Sequence, residues 1–507
     1  MRVPEPWILA IDLGTGGPKV GAVSLRGEVL AQSASTVQTT YLPGGGAVQD
    51  TAQWWERIRT AVRALALGDG LLGVGITGQW GSTVPVGEDG HAVGDCRLWS
   101  DTRGGQFSAK AVGGPLSLFG YSPGNIWRWV QLTGGAPSPH GADPLGHELF
   151  MRNSEAELYA RTRWLLEPVD YLGLLLTGHA VATPASMILS WLTDNRPGAS
   201  VAYVPELVRR SGRDAGKLPT LVKTGSVIGS VSPDVAEQLG IPGVPVIAGV
   251  PDLHTAFLGS GAVAPFEAHI TISTSAWIAC EVPFKRTDVL HQMATVPGVR
   301  PGTYLVANNH ETAGLCLRWL RDSMMPGGLD ELCASAESVP AGSDGVMFTP
   351  WLNGERTPVE DRTLRAAFLN VSVGTGREHF VRAVLEGVAF NARWLLDAVE
   401  NFVGRQLPSL RMLGGGAQSD LWCRIHADVL GRRIERVADP MYGSLRGAAL
   451  FAAISLGKLS IDDVRGAVRV TDVFEPDDKS RRVYEPMYAE FKRFYGALHG
   501  SYARLNR

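Results

Sequence analysis

A buried-strand pattern that ends at one acid and turns through glycines constrains this chain more than any other feature. Residues 7–11 are apolar, Asp12 ends the run, and a second strand pattern resumes at residues 18–25. The turn holds one hydroxyl and three glycines: Gly14, Thr15, Gly16 and Gly17. Glycines let backbone N–H groups approach an anion closely, and a threonine adds a donor. We predict a phosphate-binding β-hairpin; an ordinary hairpin is the alternative.

Asp12 stands at the end of the first strand of this hairpin, where a strand would hold its carboxylate in a fixed position. Mg²⁺ is commonly bound by one or two carboxylates, with waters and substrate phosphates completing its shell. The pattern therefore predicts that Asp12 is a carboxylate on the magnesium side of a nucleotide.

The composition excludes several classes of protein. With 507 residues, 45% hydrophobic and 19% charged, the chain has the composition of a soluble globular protein of about two to four domains. A net charge of −3 argues against a nucleic-acid binder. The five cysteines form no Cys-x-x-Cys pair, so neither a disulfide framework nor a zinc site is predicted. No apolar run reaches the roughly 18 residues of a membrane span, and we expect a cytoplasmic protein.

A second acid ends another strand pattern. Residues 244–251 are mainly apolar, Asp252 follows, and residues 253–258 are typical of a helix start. An acid at a strand end that faces a phosphate loop is well placed to act as the base that activates a hydroxyl. The same local sequence fits a helix N-cap aspartate equally well.

The opening design recurs near the middle of the chain. Residues 267–282 read as a strand, a turn of Ser273, Thr274 and Ser275, and a second strand, just after a small-residue hinge at 258–263. We therefore predict two related lobes, residues 1–261 and 262–507, with a cleft between them. A purely structural serine-threonine turn is the alternative for the second hairpin.

Three further turns carry candidate ligand-binding residues. A strand over 71–77 stops at Gln79, Trp80 and Gly81, and a second strand-and-stop brings Trp99 and Asp101. Indole faces suit the C–H side of a sugar, and Gln and Asp can bond its hydroxyls, although each tryptophan alone also fits core packing. The triple glycine 414–416 lies between a strand and a helix start, where backbone N–H groups favour anions.

The remaining periodicity predicts helices. We expect them over residues 51–67, 155–178 with an interruption at 167–168, 311–322, 377–403 and 443–457, and an exposed charged helix after Pro476.

A series of motifs in fixed order resembles the FGGY family of carbohydrate kinases, and within it the xylulose kinases. The likeness covers nearly the whole chain, and its order is more specific than any single motif. The motifs are Asp12-Leu-Gly-Thr15, Gln49-Asp50 before Trp54-Trp55, Trp99-Ser-Asp101-Thr-Arg103, Tyr159-Ala-Arg-Thr with Asp170-Tyr-Leu, Gly249-Val-Pro-Asp252, Gly354-Glu-Arg-Thr-Pro358, Leu385-Glu-Gly-Val388 and Gly414-Gly-Gly-Ala417-x-Ser419.

The resemblance implies an α/β fold of two actin-like, hexokinase-like lobes of the ribonuclease H type, with an interlobe cleft that closes over ATP and a sugar. It implies that Asp252 accepts the proton of the attacking hydroxyl and that Asp12 lies near Mg²⁺. It implies that the residues that bind ATP are Thr15, Gly16, Lys19, Thr274, Gly314, Gly415, Gly416 and Asp420. On the sugar side it implies Gln79, Trp80, Gly81, Asp101 and Asp252.

One departure bears on the substrate. Xylulose kinases usually carry Gln-Met-His-Gly where this chain has Gln79-Trp80-Gly81, so the histidine that contacts the sugar is missing. We expect an ATP- and Mg²⁺-dependent kinase of a pentulose, D-xylulose first and D-ribulose or another ketose or polyol next. A non-catalytic sugar-binding regulator is the rival hypothesis. A chaperone-type ATPase is a third, weaker hypothesis, because the available length leaves no room for a peptide-binding extension. A homodimer is left open.

Overall fold

The chain forms two compact units in the computed structural model, which describes residues 5–65, 68–113 and 120–506. Unit 1 contains the described residues of Met1–Gly259, together with Val296–Gly302 and Ser444–Ala467. Unit 2 contains those of Ser260–Thr295, Thr303–Gly443 and Val468–Arg507. None of the helices in these described ranges is long and apolar enough to cross a lipid bilayer.

The strands are β1 (Trp7–Gly14), β2 (Gly17–Ser24), β3 (Val29–Ala34), β4 (Thr40–Leu42), β5 (Gly46–Gln49), β6 (Leu71–Gly78), β7 (Val84–Val86), β8 (Cys96–Arg97), β9 (Trp164–Leu166), β10 (Val181–Ala182), β11 (Thr220–Leu221), β12 (Val227–Ser230), β13 (Pro245–Ile247), β14 (Val250–Pro251), β15 (Ala268–Ile272), β16 (Ala276–Val282), β17 (Thr287–Asp288), β18 (Met293–Pro297), β19 (Tyr304–Ala307), β20 (Met347–Thr349), β21 (Ala367–Leu369), β22 (Ser409–Leu413), β23 (Arg433–Val437) and β24 (Val470–Phe474).

The helices are α1 (Thr51–Ala64), α2 (Gly105–Val112), α3 (Pro123–Thr133), α4 (Pro144–Ser154), α5 (Ala156–Arg161), α6 (Pro168–Thr177), α7 (Pro205–Ser211), α8 (Pro233–Leu239), α9 (Asp252–Ser260), α10 (Gly314–Ser323), α11 (Leu329–Ala336), α12 (Arg377–Val403), α13 (Asp420–Leu430), α14 (Gly443–Ser455), α15 (Val464–Ala467) and α16 (Asp478–Leu505).

The central sheet of unit 1 brings the ends of three parallel strands to one edge. Its order is β12-β13-β6-β1-β2-β3, and β14 pairs with β6 beyond the end of β13. Thr77 of β6 lies opposite Asp12 on one side and Val250 on the other. Apolar side chains of β1 and β6, such as Ile11 and Ile76, are buried on its faces. The ends of β1 and β6, which contain Asp12 and Gly78, are therefore neighbours of the end of β14, which Asp252 follows.

Helix α14 packs on this sheet, although it comes nearly two hundred residues after α9. Glycines in the strands permit the contact, since a Cβ on Gly75 would lie 2.4 Å from the carbonyl oxygen of Ala448. A Cβ on Gly21 would lie 2.8 Å from a methyl group of Leu445. The predicted lobe ranges, 1–261 and 262–507, place this helix in the second lobe, whereas its small residues pack it into unit 1.

Unit 2 is built on an eight-stranded sheet of order β17-β18-β19-β16-β15-β22-β23-β24. The predicted second hairpin is present: β15 and β16 pair antiparallel from Ala268–Cys280 to Ile272–Ala276. β22 runs parallel to β15. The predicted helix over 377–403 is confirmed as α12, whose Val384, Leu395 and Val399 are buried in the core.

Helix α1 follows its prediction, with Asp50 as N-cap accepting from the backbone N–H of Ala52 at 2.8 Å. Its described residues end at Ala64 with Leu65 as C-cap, and residues 66–67, to which we predicted the helix would run, lie outside the described ranges.

Two helix predictions need correction. Residues 155–178 were expected to be one interrupted helix, but 164–166 form strand β9, which pairs with β7 and buries Leu165 and Leu166. Pro168 then starts a separate helix, α6, as expected of a proline at the first helical position.

The charged helix after Pro476 is α16, and it is not exposed all round. Tyr484, Tyr488 and Phe491 recur at helical spacing and are buried against the core of unit 2, where Phe390 contacts all three rings. The aromatic face, rather than the charges, decides how this helix packs.

Gly447 of α14 offers a test of this packing, because its Cβ would lie 1.7 Å from the carbonyl oxygen of Thr255 in α9. We expect Gly447→Ala to lower the free energy of unfolding by about 1–3 kcal/mol, the usual cost of overpacking. Chemical denaturation measures this effect. In the control Gly496→Ala, the new Cβ meets no atom within 4 Å inside helix α16, so stability should stay unchanged or rise by up to about 1 kcal/mol. Equal effects of both variants would contradict the packing.

Candidate active site

Two aspartates lie at the shared strand edge of unit 1. Asp12 lies near the end of β1, in the hairpin that β1 forms with β2. Asp252 is the first residue of α9, directly after β14. Asp12 is 4% exposed, and Lys19, its cross-strand partner in the hairpin register, places Nζ 3.5 Å from Asp12 Oδ2. The structure thus brings together three of the residues predicted from the sequence.

The environment of Asp252 changes its acidity. Burial, followed by the negative charge of Asp12, raises the pKa of Asp252 from an ordinary 3.8 to about 7. The positive charge of Lys19 and backbone N–H donors act in the opposite direction but do not cancel the shift. A carboxyl group with this pKa can take up and release a proton near neutral pH, which is what general acid–base chemistry requires.

A pair of buried threonines links the two aspartate-bearing elements. Thr77 Oγ1 donates to the carbonyl oxygen of Val250 at 2.9 Å and shares a 2.8 Å hydrogen bond with Thr255 Oγ1. Thr255 Oγ1 also donates to the carbonyl oxygen of Asp252 at 3.2 Å. Both threonines are fully buried. Strand β6 therefore fixes α9, and with it the start of the Asp252 side chain, relative to β1.

The turn of the first hairpin is open at its tip. A Cβ on Gly16 would meet no atom within 4 Å, whereas Gly17 has φ +136° and lies against Ser35. The backbone carbonyl of Thr15 accepts from Gln49 Nε2 at 2.7 Å, and its hydroxyl accepts from Trp99 Nε1 at 3.2 Å. The turn is therefore held from behind and leaves its glycine backbone accessible to a ligand.

The predicted sugar-side residues Gln79, Trp80 and Gly81 follow β6 directly. Gln79 is buried, donates its backbone N–H to Leu13 at 2.8 Å, and accepts weakly from Thr15 Oγ1 at 3.5 Å. Trp80 Nε1 donates to the carbonyl oxygen of Ser186 at 3.0 Å. The structure thus joins the predicted sugar loop to the predicted phosphate turn through Gln79 and Thr15.

Asp101 lies in the same unit, but its carboxylate is already paired. Arg103 donates to both oxygens, at 2.6 Å from Nη2 to Oδ2, and the backbone N–H of Ala47 donates to Oδ2 at 3.2 Å. Burial acts to raise the pKa of Asp101, but the hydrogen bonds from Arg103 and the charges of His147 and Arg103 outweigh it and lower the pKa. Its contacts are those of a side chain that holds the loop around residue 101.

Unit 2 gathers another set of predicted residues. The backbone N–H of Gly314 donates to the carbonyl oxygen of Ser273 at 2.7 Å, and a Cβ on Gly314 would lie 2.3 Å from that oxygen. A Cβ on Gly416 would lie 2.5 Å from a methyl group of Ile272. Only glycines allow this approach, so the hairpin turn at Thr274, the start of α10 and the glycine turn meet.

The other two residues predicted in this region differ in their surroundings. A Cβ on Gly415 would meet nothing within 4 Å, so its backbone lies open. Asp420 begins α13 and pairs with Arg436 at 2.6 Å, with its side chain 55% exposed.

Three polar residues of these sites were not predicted. Arg318, one helical turn after Gly314, donates from Nη2 to Thr274 Oγ1 at 2.6 Å. Gln49 supports the first turn, and Glu167 accepts from the backbone N–H of Gly81 at 3.0 Å. The spacing of four from Gly314 could have indicated Arg318, whereas Glu167 is distant in sequence from the loop that it contacts.

The residues present fit a magnesium ion bound mainly through phosphate. In the ranges that the structure describes, no cluster of three or more His, Cys, Asp or Glu side chains could hold a metal alone. Two mutually repelling carboxylates served by one lysine nevertheless form a locally negative site that suits a hydrated cation. Asp12 would hold such an ion.

Two family descriptions match the chain. The N-terminal domain of the FGGY family of carbohydrate kinases matches residues 7–111, and the C-terminal domain of the same family matches residues 278–456. The chain belongs to the FGGY family of carbohydrate kinases. This FGGY chain is accordingly a sugar kinase that uses ATP, and its predicted membership is confirmed.

Relatives of this FGGY kinase match it over nearly full length. Xylulose kinase of Staphylococcus epidermidis strain RP62A is 28% identical over 505 residues, which cover 96% of each chain. Gluconokinase of Bacillus subtilis strain 168 is 24% identical over 516 residues, covering 98% of this chain and 97% of the relative. The solved ligand-bound xylulose kinase of Lactobacillus acidophilus superposes with a TM-score of 0.84 at 20% identity, covering 99% of this chain and 100% of that one. The predicted α/β fold with two actin-like lobes is confirmed.

The raised pKa of Asp252 predicts a pH-dependent cost in stability. Its protonated form favours the folded state, and this contribution is lost as the pH rises through about 7. The substitution Asp252→Asn mimics the protonated form, and we expect this variant to melt at least about 2 °C above the wild type at pH 8.

The difference in melting temperature should shrink as the pH falls from 7 to 4, and calorimetry at several pH values measures it. Asp234→Asn, at an exposed position in α8, is the control. A constant difference across this range would contradict the pKa assignment.

Proposed function

We propose that this FGGY kinase transfers the terminal phosphoryl group of ATP to the terminal hydroxyl of a pentulose. D-xylulose is the first candidate, and D-ribulose or another ketose or polyol is next. The names of its relatives support this order, because several of them are xylulose kinases. One relative is a gluconokinase, so other substrates stay in the list of candidates.

The single observation that carries the proposal is the position and acidity of Asp252. A base that deprotonates an alcohol works best with a pKa near the working pH. Burial and the neighbouring Asp12 give Asp252 a pKa of about 7 at the edge where the phosphate turn of unit 1 also lies. A helix N-cap, the alternative reading of this aspartate, does not need a pKa raised in this way.

The chemical step follows from these residues. The oxygen of the sugar hydroxyl attacks the γ-phosphorus of ATP, and Asp252 accepts the proton that this hydroxyl loses. The new O–P bond forms while the bond to the bridging oxygen breaks, and ADP leaves. Phosphoryl transfer needs little covalent chemistry from the protein and depends on positioning and charge neutralisation.

We assign the phosphate contacts of unit 1 to the tip of the first hairpin. Thr15 and Gly16 offer donors at an open turn, and Lys19 lies 3.5 Å from Asp12, within reach of a phosphate as well. Asp12 would hold Mg²⁺, which neutralises phosphate charge when bound. Asp12 and Lys19 thus provide opposite charges at one place.

Unit 2 supplies the remaining nucleotide contacts in the proposal. Thr274 and its partner Arg318 are assigned to phosphate, because a hydroxyl and a guanidinium 2.6 Å apart form a donor pair. Gly314, Gly415 and Gly416 are assigned to the nucleoside side, where bare backbone lets a ring approach closely. Asp420, exposed and paired with Arg436, is assigned to the rim of that site.

We also propose that the protein works in the cytoplasm. All five cysteines are free, four of them buried, which suits a reducing compartment.

Replacement of the proposed base tests the mechanism. We expect Asp252→Ala to lower kcat by about 10²–10⁴-fold, the usual contribution of a general base. Steady-state kinetics measures this loss, and calorimetric titration should show ATP binding within about threefold of the wild type. The exposed-site control Asp234→Ala should keep wild-type kcat. Unchanged turnover in Asp252→Ala would refute the assignment.

A substrate panel tests the function itself. Purified protein with ATP and Mg²⁺ is offered D-xylulose, D-ribulose, L-xylulose, glycerol and gluconate, and ADP release is followed. We expect sugar-dependent ADP release with D-xylulose giving the highest kcat/KM. A rise in melting temperature with a sugar, without turnover, would instead indicate a sugar-binding regulator.

A further inference from the structure

Glu167 holds the backbone of the predicted sugar-recognition turn, residues 80–82. Its Oε2 accepts from the backbone N–H of Gly81 at 3.0 Å, and the backbone of Ser82 also hydrogen-bonds to its carboxyl group. Gly81 has φ +78°, and a Cβ there would lie 2.9 Å from a methyl group of Leu189. The turn therefore has a left-handed backbone shape and a close approach to Leu189 that favour glycine at this position.

Glu167 does not serve its own helix. It occupies the N-cap position of α6, yet its side chain makes no capping hydrogen bond there. N-cap side chains normally accept from the first turn of the helix that they precede. The carboxyl group of Glu167 is instead committed to a loop more than eighty residues earlier in the chain.

The site is costly for a carboxyl group. Glu167 is 2% exposed, and among the described residues its Oε1 has no hydrogen-bond partner. Burial, and then the charge of Asp170, raises the pKa of Glu167 well above its ordinary value; the charge of Arg213 acts against this, and the thiol of Cys96 faces the same carboxyl group. A leucine of similar size would avoid this cost, so packing alone does not account for a glutamate.

The other end of the turn is fixed as well. Trp80 Nε1, the only polar side-chain atom of this residue, donates to the carbonyl oxygen of Ser186. Ser186 in turn hydrogen-bonds to Asp170, which lies one helical turn after Glu167. With its N–H committed, the Trp80 indole has only apolar ring surface to offer a ligand.

We propose that Glu167 is a positioning residue for sugar recognition, which holds turn 80–82 so that the Trp80 ring selects among pentuloses by apolar contact. The inference rests on the proposed function and specifies how its sugar site obtains selectivity. In this chain the glutamate supports a turn that lacks a histidine of its own.

Two substitutions at one position test this role. Glu167→Leu removes the acceptor and leaves the backbone N–H groups of the turn unpaired, so we expect KM for the preferred sugar to rise about tenfold or more. The ratio of kcat/KM for D-xylulose to that for D-ribulose should also change. Glu167→Gln keeps an acceptor oxygen, and its sugar KM should stay within about threefold of the wild type. KM for ATP should stay within about twofold in both variants.

Controls separate the outcomes. Glu237→Gln, at an exposed position in α8, should leave every constant unchanged. If Glu167→Leu does not fold, Glu167→Asp replaces it, since the shorter side chain withdraws the acceptor and should raise the sugar KM. Wild-type sugar KM and selectivity in Glu167→Leu or Glu167→Asp would overturn the inference alone. A wild-type protein that turns over no sugar would overturn the proposed function and this inference with it.

Discussion

The placement of two carboxylates, Asp12 and the buried Asp252, at one strand edge determines what chemistry this site can perform. Burial of Asp252, and then the negative charge of Asp12 at the same strand edge, disfavours ionisation of the Asp252 carboxyl group. The result is a division of roles. Burial and the charge of Asp12 together raise the pKa of Asp252 to about 7, so that Asp252 can act as a base, while Asp12 keeps Lys19 as its partner and suits a cation.

Several elements of unit 1 hold the two aspartates in place. β6 lies between β1 and β14, and the hydroxyls of Thr77 and Thr255 join the two flanking elements. Behind α9, Gly447 of α14 approaches the carbonyl oxygen of Thr255 more closely than any side chain would allow. A helix from late in the chain therefore helps to set the position of the base.

Local patterns predicted the two hairpins, α12 and the places of Asp12 and Asp252 near strand ends, because alternation, glycine placement and helical spacing are properties of neighbouring residues. They failed at residues 164–166, where pairing with β7 turns a helix-like stretch into a strand. They also missed Glu167 and the return of α14 to unit 1. Those features depend on contacts between segments that are distant in sequence, and patterns of neighbouring residues do not predict such contacts. The roles assigned to the site residues stay predictions.

Titration of the Asp252 carboxyl carbon by 13C NMR measures the effect of Asp12 on its acidity. The signal is assigned with Asp252→Asn and followed in the wild type and in Asp12→Asn. We predict a midpoint of about 7 in the wild type and a lower midpoint once the Asp12 charge is gone. A midpoint near 4 in both proteins, or the same raised midpoint in both, would contradict the coupling of the two carboxylates.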